Sequence, residues 1–569
     1  MKIGLKDQDK ATHKWRGIQK GCRNNILIIN GIIHDIISKK KQPVLLQIYD
    51  YRQMFDAIGL QEALSDAFDV GIDDDNLALI YEANRSISMS VKTTNGLTER
   101  QIIENVVLQG DTLGSILASV QVDNICKSVE SSGYGYRYKD VLGISVLALV
   151  DDMIGVTNAG HEAHQMNAVI NAKTAEKRLQ FGVEKCKTML IGGNSNNIVN
   201  NNLSVDTWKV EYQVDATEDK LVEIFDGKSE IEMTDKQKYL GFFLSSEGDN
   251  MVNIKEMQKK SVWVSKKIFN RLYSLNLKQY FFESAMIFLN VILRSSILYG
   301  AESYYNLKEK EIRTLERIEE NFLRQLLKTG RGCSIPQLYL ETGHIPARFE
   351  IIKMRCLFLK SILNESTESL IYKFIMAQFQ NPVRGDWMSC CLKDLEYLKI
   401  TISLEEIKSM KKTQFRKLLK ASIKKKALEY LLDKQGSKGK EMKYSSLKMA
   451  EYLLPNMENL SISDQRYIFA IRNRMIEIKN NFQNKELPEK CICAEIEDQK
   501  HIYLCKQLNN EKTNIEYNKI FEENVKIQKQ IYERFKENFE RRKQNIISPS
   551  DPSGRSTVIV SKDYNSNRK

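Results

Sequence analysis

Along the first 250 residues the spacing of apolar positions switches repeatedly between helix and strand. NNILIINGIIHDIISK (24–39) places them at helical intervals. Lys39 to Lys41 and Pro43 break that pattern, and VLLQIYD (44–50) reads as a buried strand ending in Asp50. MFDAIGLQEALSDAFDVG (54–71) returns to helix and stops at Gly71. In IDDDNLALIYEAN (72–84) the acidic triplet Asp73–Asp75 marks a helix start, because carboxylates favour the positive end of the helix dipole. SMSVKTTNGL (88–97) predicts a strand and a turn through Asn95-Gly96; GDTLGSILASVQVDNICKSV (110–129) predicts a loop, then a helix. ISVLALVDDMIGVTN (144–158) predicts a hairpin with Asp151-Asp152 at its tip, HEAHQMNAVINAKTAEKRLQFG (161–182) a helix and KYLGFFLSS (238–246) a strand. From about 252 to 485 the pattern is almost wholly helical and rich in Lys and Arg. The tail from about 540 concentrates Ser, Pro and Asn and predicts disorder. Alternating strands and helices followed by helices alone indicate the α+β class with helical domains behind it.

Composition narrows this picture. Hydrophobic residues at 42% and only 8 prolines in 569 residues exclude a disordered chain. The formal net charge of +12 favours an anionic partner such as nucleic acid, although spread over this length it is a modest signal. Ten cysteines are too few and too irregularly placed for a disulfide framework. The opening MKIGLKDQDKATHKWRG has no apolar core and predicts no signal peptide. YFFESAMIFLNVILRSSILYG (280–300) is interrupted by Glu283, Asn290 and Arg294, so it reads as a buried helix rather than a membrane span. The expectation is an intracellular protein, nuclear or cytoplasmic, without a membrane partner.

Two adjacent carboxylates inside an apolar run are costly to desolvate, so Asp151 and Asp152 should be paired, metal-bound or at an exposed turn. A hairpin with an acidic tip satisfies that segment alone. Four segments, however, share one chemistry: the strand end at Asp50, the loop Gln109-Gly110-Asp111-Thr112, the tip Asp151-Asp152, and FGVEKCKT (181–188), read as a helix end. Carboxylates at neighbouring strand ends, aimed at one point, suit hard divalent cations in phosphoryl transfer.

The order IYDYRQMFDAI, LQGDTLGS, LVDDMIGV, LQFGVEKCK and KYLGFF resembles the reverse transcriptase of non-LTR (LINE-like) retrotransposons, over roughly residues 15–510. The resemblance implies a right-hand polymerase: partial fingers (1–43), a ferredoxin-like palm (44–250) and a helical thumb (251–345). A helical extension (346–485), a zinc knuckle (486–510) and a helix with a disordered tail (511–569) follow. It implies RNA-directed DNA synthesis by two-metal nucleotidyl transfer, with two Mg²⁺, an RNA template, a DNA primer or target, and dNTPs. Asp50 corresponds to the first catalytic aspartate, with the Tyr51 carbonyl as a further metal contact; Asp151 is the second, and Asp152 its partner. Phe55 matches the bulky residue that excludes a ribose 2′-OH, although by pattern alone it is a core aromatic. Gln109 and Gly110 match the loop against template and nucleotide. Lys185 corresponds to a proton donor or electrostatic stabiliser at pyrophosphate; an exposed helix-end lysine is the plainer alternative. Tyr239, Leu240 and Gly241 fall in the primer-gripping strand pair.

Departures from the family pattern are Leu149 for the usual aromatic, Val150 before Asp151, and Ser115-Ile116 where relatives often carry proline. WRGIQKGCRNNILIING (15–31) is similar to the second half of the fingers, without the basic hairpin that precedes it in the family. Lys14, Arg16, Lys20 and Arg23 are substitutes for that hairpin or plain surface cations. With 49 residues before Asp50 there is no room for the elements' N-terminal endonuclease. The expectation is a truncated enzyme, with an inactive remnant that binds nucleic acid as the alternative.

Farther on, residues 315–363 are similar to the thumb-side helices of the same elements, and their cations suit an RNA–DNA hybrid or simply a solvated face. CICAEIEDQKHIYLC (491–505) gathers Cys491, Cys493, His501 and Cys505, a Cys₃His zinc composition that relatives also carry near the C-terminus. Two structural thiols and a surface histidine are the alternative. Lys490, Lys500 and Lys506 surround the set with positive charge. HEAH (161–164) lacks the HExxH spacing, and no P-loop is present.

Overall fold

The computed structural model describes residues 21–39, 42–85, 87–103, 114–193, 203–214, 219–330, 332–435, 442, 444–455, 460–478, 481, 487–509 and 511–547. Gln109, Gly110, Lys14, Arg16, Lys20 and the tail past 547 lie outside these residues. The chain divides into two compact units: Met1–Lys266 with Asn290–Glu319 and Pro346–Lys426, and Lys267–Leu289 with Glu320–Ile345 and Ala427–Lys569.

The first unit begins with helix α1 (Cys22–Lys39), strand β1 (Val44–Tyr49) and helices α2 (Leu60–Asp69), α3 (Asp74–Asn84) and α4 (Gly114–Ser131). Strands β2 (Val146–Leu149) and β3 (Asp152–Asn158), helix α5 (His161–Glu176) and β4 (Lys187–Ile191) follow. Then come β5 (Ser204–Val214), β6 (Asp219–Glu230), β7 (Glu232–Met233), β8 (Lys236–Tyr239) and β9 (Phe242–Ser245). The central sheet has the order β7-β4-β1-β3-β2. β1 runs antiparallel to both neighbours, with Leu46 opposite Val156 on one side and Met189 on the other; β7 adds in parallel to β4. Strand, helices, strand, strand, helix, strand is the ferredoxin-like succession.

Burial on both faces explains why β1 is apolar at every position but one. On one face lies α1, whose Ile26, Leu27, Ile28, Ile29, Ile32, Ile33 and Ile36 are all buried, each worth about 1.5–3 kcal/mol relative to exposure. On the other, Leu45 and Tyr49 join a core with Leu117, Val120 and Ile125 of α4 and Ile170 of α5. Gln47 is the polar exception in β1. Its amide donates to Ala163 O at 3.1 Å and Thr157 Oγ1 at 3.3 Å, which offsets its desolvation.

Several elements differ from the sequence expectation. The helix expected over 54–71 is two, Met54–Ala57 and α2, parted by extended residues at Ile58 and Gly59. Asp73 is the N-cap of α3, accepting from Asn76 N at 3.0 Å, so the acidic triplet does serve a helix start. The turn in 88–97 lies at Thr94-Asn95, one residue early. α5 ends at Glu176 with Arg178 in the left-handed region, so FGVEKCKT is a turn leading into β4 and not a helix end. KYLGFFLSS is a hairpin, β8 and β9, rather than one strand; Leu240 (φ 48°) and Gly241 (φ 80°) form its two-residue turn. Positive φ at both positions is what a twisted hairpin needs, and Leu hides it in sequence where Asn would announce it.

The second unit is helical and is built around a buried charge. Glu341 and Arg472 are 0% and 2% exposed and pair at 2.9 Å. The Tyr452 and Tyr444 hydroxyls donate to the same carboxylate at 3.0 and 2.9 Å. Lys278–Ile297 is the one helical stretch among the described residues long and apolar enough to cross a membrane, with 44% of its window buried. Within it Phe281, Phe282, Ala285 and Leu289 are buried.

Candidate active site and candidate metal centre

β1 lies in the middle of the sheet, so its last residues are flanked on both sides. The register that pairs Tyr49 with Met153 sets Asp50 beside Asp152 at the strand ends. Leu149 faces Asp152 across a two-residue turn made of Val150 and Asp151. Val150 has φ 57°, an uncommon conformation for a β-branched residue that costs on the order of 1–2 kcal/mol. On the other flank, Gly182 N donates to Asp50 O at 2.9 Å, and Arg52 N to Gln180 O at 2.8 Å. The turn closed by Lys185 N donating to Gly182 O brings the Lys185 ammonium to 3.1 Å from Asp50 Oδ1. A Cβ on Gly182 would stand 3.3 Å from that same oxygen, so the position favours the smallest residue.

These groups share one electrostatic field. The Asp152 carboxyl is pushed up to about 6, by burial first and then by the charges of Asp151 and Asp50, with Lys185 opposing. The Lys185 ammonium is raised by its hydrogen bond and charge interaction with Asp50, then by Glu184 and Asp151. Three carboxylates against one cation leave an excess of negative charge, a donor set that fits hard divalent cations. Among the described residues, the group of such side chains gathered as metal ligands is the cysteine–histidine set of the second unit, whose ligand atoms all lie within 4.8 Å of one another.

A carboxyl held above its unfolded value of about 4 binds its proton more tightly when folded. The fold is therefore favoured by this group below pH 4, and that advantage is lost as pH rises through about 6. Without added divalent metal, thermal stability is expected to decline across that window, and Asp152→Asn to flatten the decline. An unchanged slope in the variant's pH–melting profile would remove Asp152 as its source.

The remaining predicted residues divide. Phe55 is partly buried, packed against the core beside Met54. Tyr51 is 3% exposed with its ring stacked on Phe181 at 5.3 Å, so its side chain supports the strand end. Tyr239 is buried, its hydroxyl 3.3 Å from Asn25 Nδ2. Leu240 O accepts from the Tyr299 hydroxyl at 2.7 Å, which pins the β8–β9 turn. Sequence reasoning missed Gly182 and Cys186, whose Sγ lies 3.5 Å from Asp50 N; both stand inside LQFGVEKCK, where adjacency to Lys185 was the available signal.

In the second unit the four residues Cys491, Cys493, His501 and Cys505 come together. Cys491 Sγ lies 3.7 Å from Cys505 Sγ, and Cys493 Sγ 3.1 Å from His501 Nε2. Zinc–sulfur bonds of about 2.3 Å in a tetrahedron give a sulfur–sulfur edge of about 3.8 Å, so the spacing fits Zn²⁺. His501 Nδ1 is 3.0 Å from Glu495 Oε2, a carboxylate that orients the imidazole and leaves Nε2 for a metal. Sequence reasoning overlooked Glu495. The chain turns tightly between the first two cysteines and the helix: Ala494 (φ 70°) donates to Cys491 O at 2.8 Å, and Asp498 caps helix α6 (Gln499–Leu504) through His501 N. Burial and Cys505 push the Cys491 thiol up to about 12, so zinc must displace protons to bind. The segment does not stand alone. Asn538 of helix α7 (Val525–Ile547) donates to Ile502 O at 2.7 Å, and Arg542 pairs with buried Glu497.

Residues 1–244 match the family model described as reverse transcriptase (RNA-dependent DNA polymerase). No curated protein matches the chain. Among solved structures it is similar to telomerase from Candida albicans in complex with a TWJ fragment of telomeric RNA. That match has 11% identity, a TM-score of 0.30, and covers 72% of this chain and 54% of that one. It is also similar to apo telomerase from Candida tropicalis, with 11% identity, a TM-score of 0.31 and coverage of 73% and 57%. The chain spans about half the length of these telomerases.

Proposed function

We propose, from the match of residues 1–244 to the reverse transcriptase family model, that this chain is an RNA-directed DNA polymerase that extends a DNA primer with dNTPs on an RNA template, in the service of a non-LTR retrotransposon. The observation that supports this most is the field shared by Asp50, Asp151, Asp152 and Lys185 at one end of the central sheet. In this reading the sheet is the palm, α1 belongs to partial fingers, 251–345 is the thumb and 346–485 a helical extension.

Asp50, Asp151 and Asp152 would hold two Mg²⁺, which when bound activate the attacking 3′-hydroxyl and stabilise the leaving pyrophosphate. Lys185 is an ammonium at neutral pH, as lysine ordinarily is, and its contact with Asp50 holds that charge at the site, where it can supply positive charge or a proton to pyrophosphate. The Leu240-Gly241 turn holds the primer backbone. Gln109 and Gly110 line template and nucleotide. The Cys₃His set is a structural zinc site, since four protein ligands leave no open position, and Lys490, Lys500 and Lys506, all exposed, hold phosphates around it.

The test is primer extension by the purified chain on an RNA template with Mg²⁺. Hybrid binding without any extension would favour an inactive remnant instead. In the same assay Phe55→Ala is expected to raise the ratio of ribonucleotide to deoxynucleotide incorporation by about tenfold or more, the scale of one lost steric contact of 1–3 kcal/mol. An unchanged ratio would return Phe55 to the core. Metal analysis of the full chain should find one zinc per molecule. Cys505→Ser should lower nucleic-acid binding more than it lowers extension of a pre-annealed primer, and equal losses in both would argue against a separate binding role.

A further inference from the structure

The helix Lys412–Asp433 carries a face that the polymerase reading leaves unused. Lys412, Arg416, Lys417, Lys420, Lys424 and Lys425 are all exposed, and among the described residues none of the six forms an ion pair. No Asp or Glu occurs from Lys411 to Leu428. Other helices pair cations one turn away, as Lys127 with Asp123, Lys259 with Glu256 and Lys353 with Glu350. Here the neighbours four residues apart, Lys412 with Arg416, Arg416 with Lys420 and Lys420 with Lys424, repel one another. Lys412 also stands at the helix start, where the dipole is already positive. The fold gains nothing from this arrangement; a polyanion laid along it would relieve the repulsion.

We propose that this face docks single-stranded RNA, the stretch of template outside the primer hybrid. The proposal rests on the reverse-transcriptase reading, which is what brings RNA to the chain. An anionic membrane is a poor occupant, because an interfacial helix must insert its apolar side, and Phe415, Leu419 and Ile423 are buried in the protein. Five lysines and one arginine are mostly compact point charges, suited to phosphates irrespective of base. From Lys412 to Lys425 they extend about 20 Å along the helix axis. A stiff duplex meets such a straight row only where a strand crosses it, whereas a flexible single strand can follow it.

The test compares the full chain with a variant carrying Arg416→Gln, Lys417→Gln, Lys420→Gln, Lys424→Gln and Lys425→Gln, both in an Asp151→Asn background so that binding is read without extension. Glutamine keeps a helix propensity close to that of lysine. Fluorescence anisotropy is measured on an RNA–DNA hybrid, with and without a single-stranded RNA extension, over a range of salt. The extension should tighten binding by the parent about tenfold or more, and the variant should lose that gain. Its slope of log K against log salt should fall by about 0.7 per contact removed. Binding of the hybrid without extension should be unchanged, and the melting temperature equal or higher. Identical affinities and slopes for the two proteins on extended RNA would overturn the proposal. So would a lowered melting temperature, or an equal loss on the hybrid with and without the extension. Primer extension by the five-glutamine variant with Asp151 intact, on the hybrid without extension, reads the polymerase assignment separately.

Discussion

Asp151→Asn is expected to abolish primer extension, by about a thousandfold or more, while RNA–DNA hybrid binding stays within a few-fold of the parent. Asparagine keeps the size of the side chain and the turn that carries it, but removes a charge from the set that would bind metal. Several kcal/mol of transition-state stabilisation depend on such metals, and each 1.4 kcal/mol is a factor of ten in rate. The change also removes one of the charges that raise Asp152, so the folded protein should not become less stable. Single-turnover extension, anisotropy with labelled hybrid and a melting curve separate these effects. A parallel loss of binding, or a lowered melting temperature, would assign Asp151 to folding rather than catalysis.

Arg472→Met should have the largest effect on stability. It leaves the Glu341 carboxylate buried with two tyrosine hydroxyls and no cation, and breaking such a pair from one side costs about 3–5 kcal/mol. That is a large part of the 5–15 kcal/mol by which domains are usually stable. Adding Glu341→Gln should restore much of the loss, because the stranded charge is then gone. Urea unfolding of the two variants measures this. If the single variant unfolds at the parent's midpoint, or the double variant is no better than the single, the buried pair is not what holds the second unit together.

How much of this could be read from the chain depended on how local the cause was. Asp50 was legible because a carboxylate ends an apolar run, and Asp151-Asp152 because a hairpin tip is where apolar sequence tolerates charge. The cysteine–histidine set was legible from residues within one short segment. The β5–β6 hairpin was available but unread: Trp208, Val210, Tyr212 and Val214 alternate with polar residues at the strand period. By contrast the Leu240-Gly241 turn was implied only by the resemblance and not by local pattern, since leucine at positive φ contradicts the local rule and is held by Tyr299 from 59 residues away. Glu341 with Arg472, separated by 131 positions, and Lys185 with Asp50, separated by 135, are decided by tertiary packing alone.

The double pairing of β1 bears on motion as well as position. Its backbone is bonded to β3 on one side and β4 on the other, and all six of its residues are buried. No small fluctuation can free such a strand, so its amides should exchange with solvent deuterium only when the whole unit opens, among the slowest in the protein. The exposed strands Lys92–Thr93 and Gly96–Leu97, which among the described residues pair with each other alone, should label far sooner. Asp50 therefore follows directly on a strand held from both sides, and adjustment of the site to its substrates is expected from the hairpin tip and from Lys185.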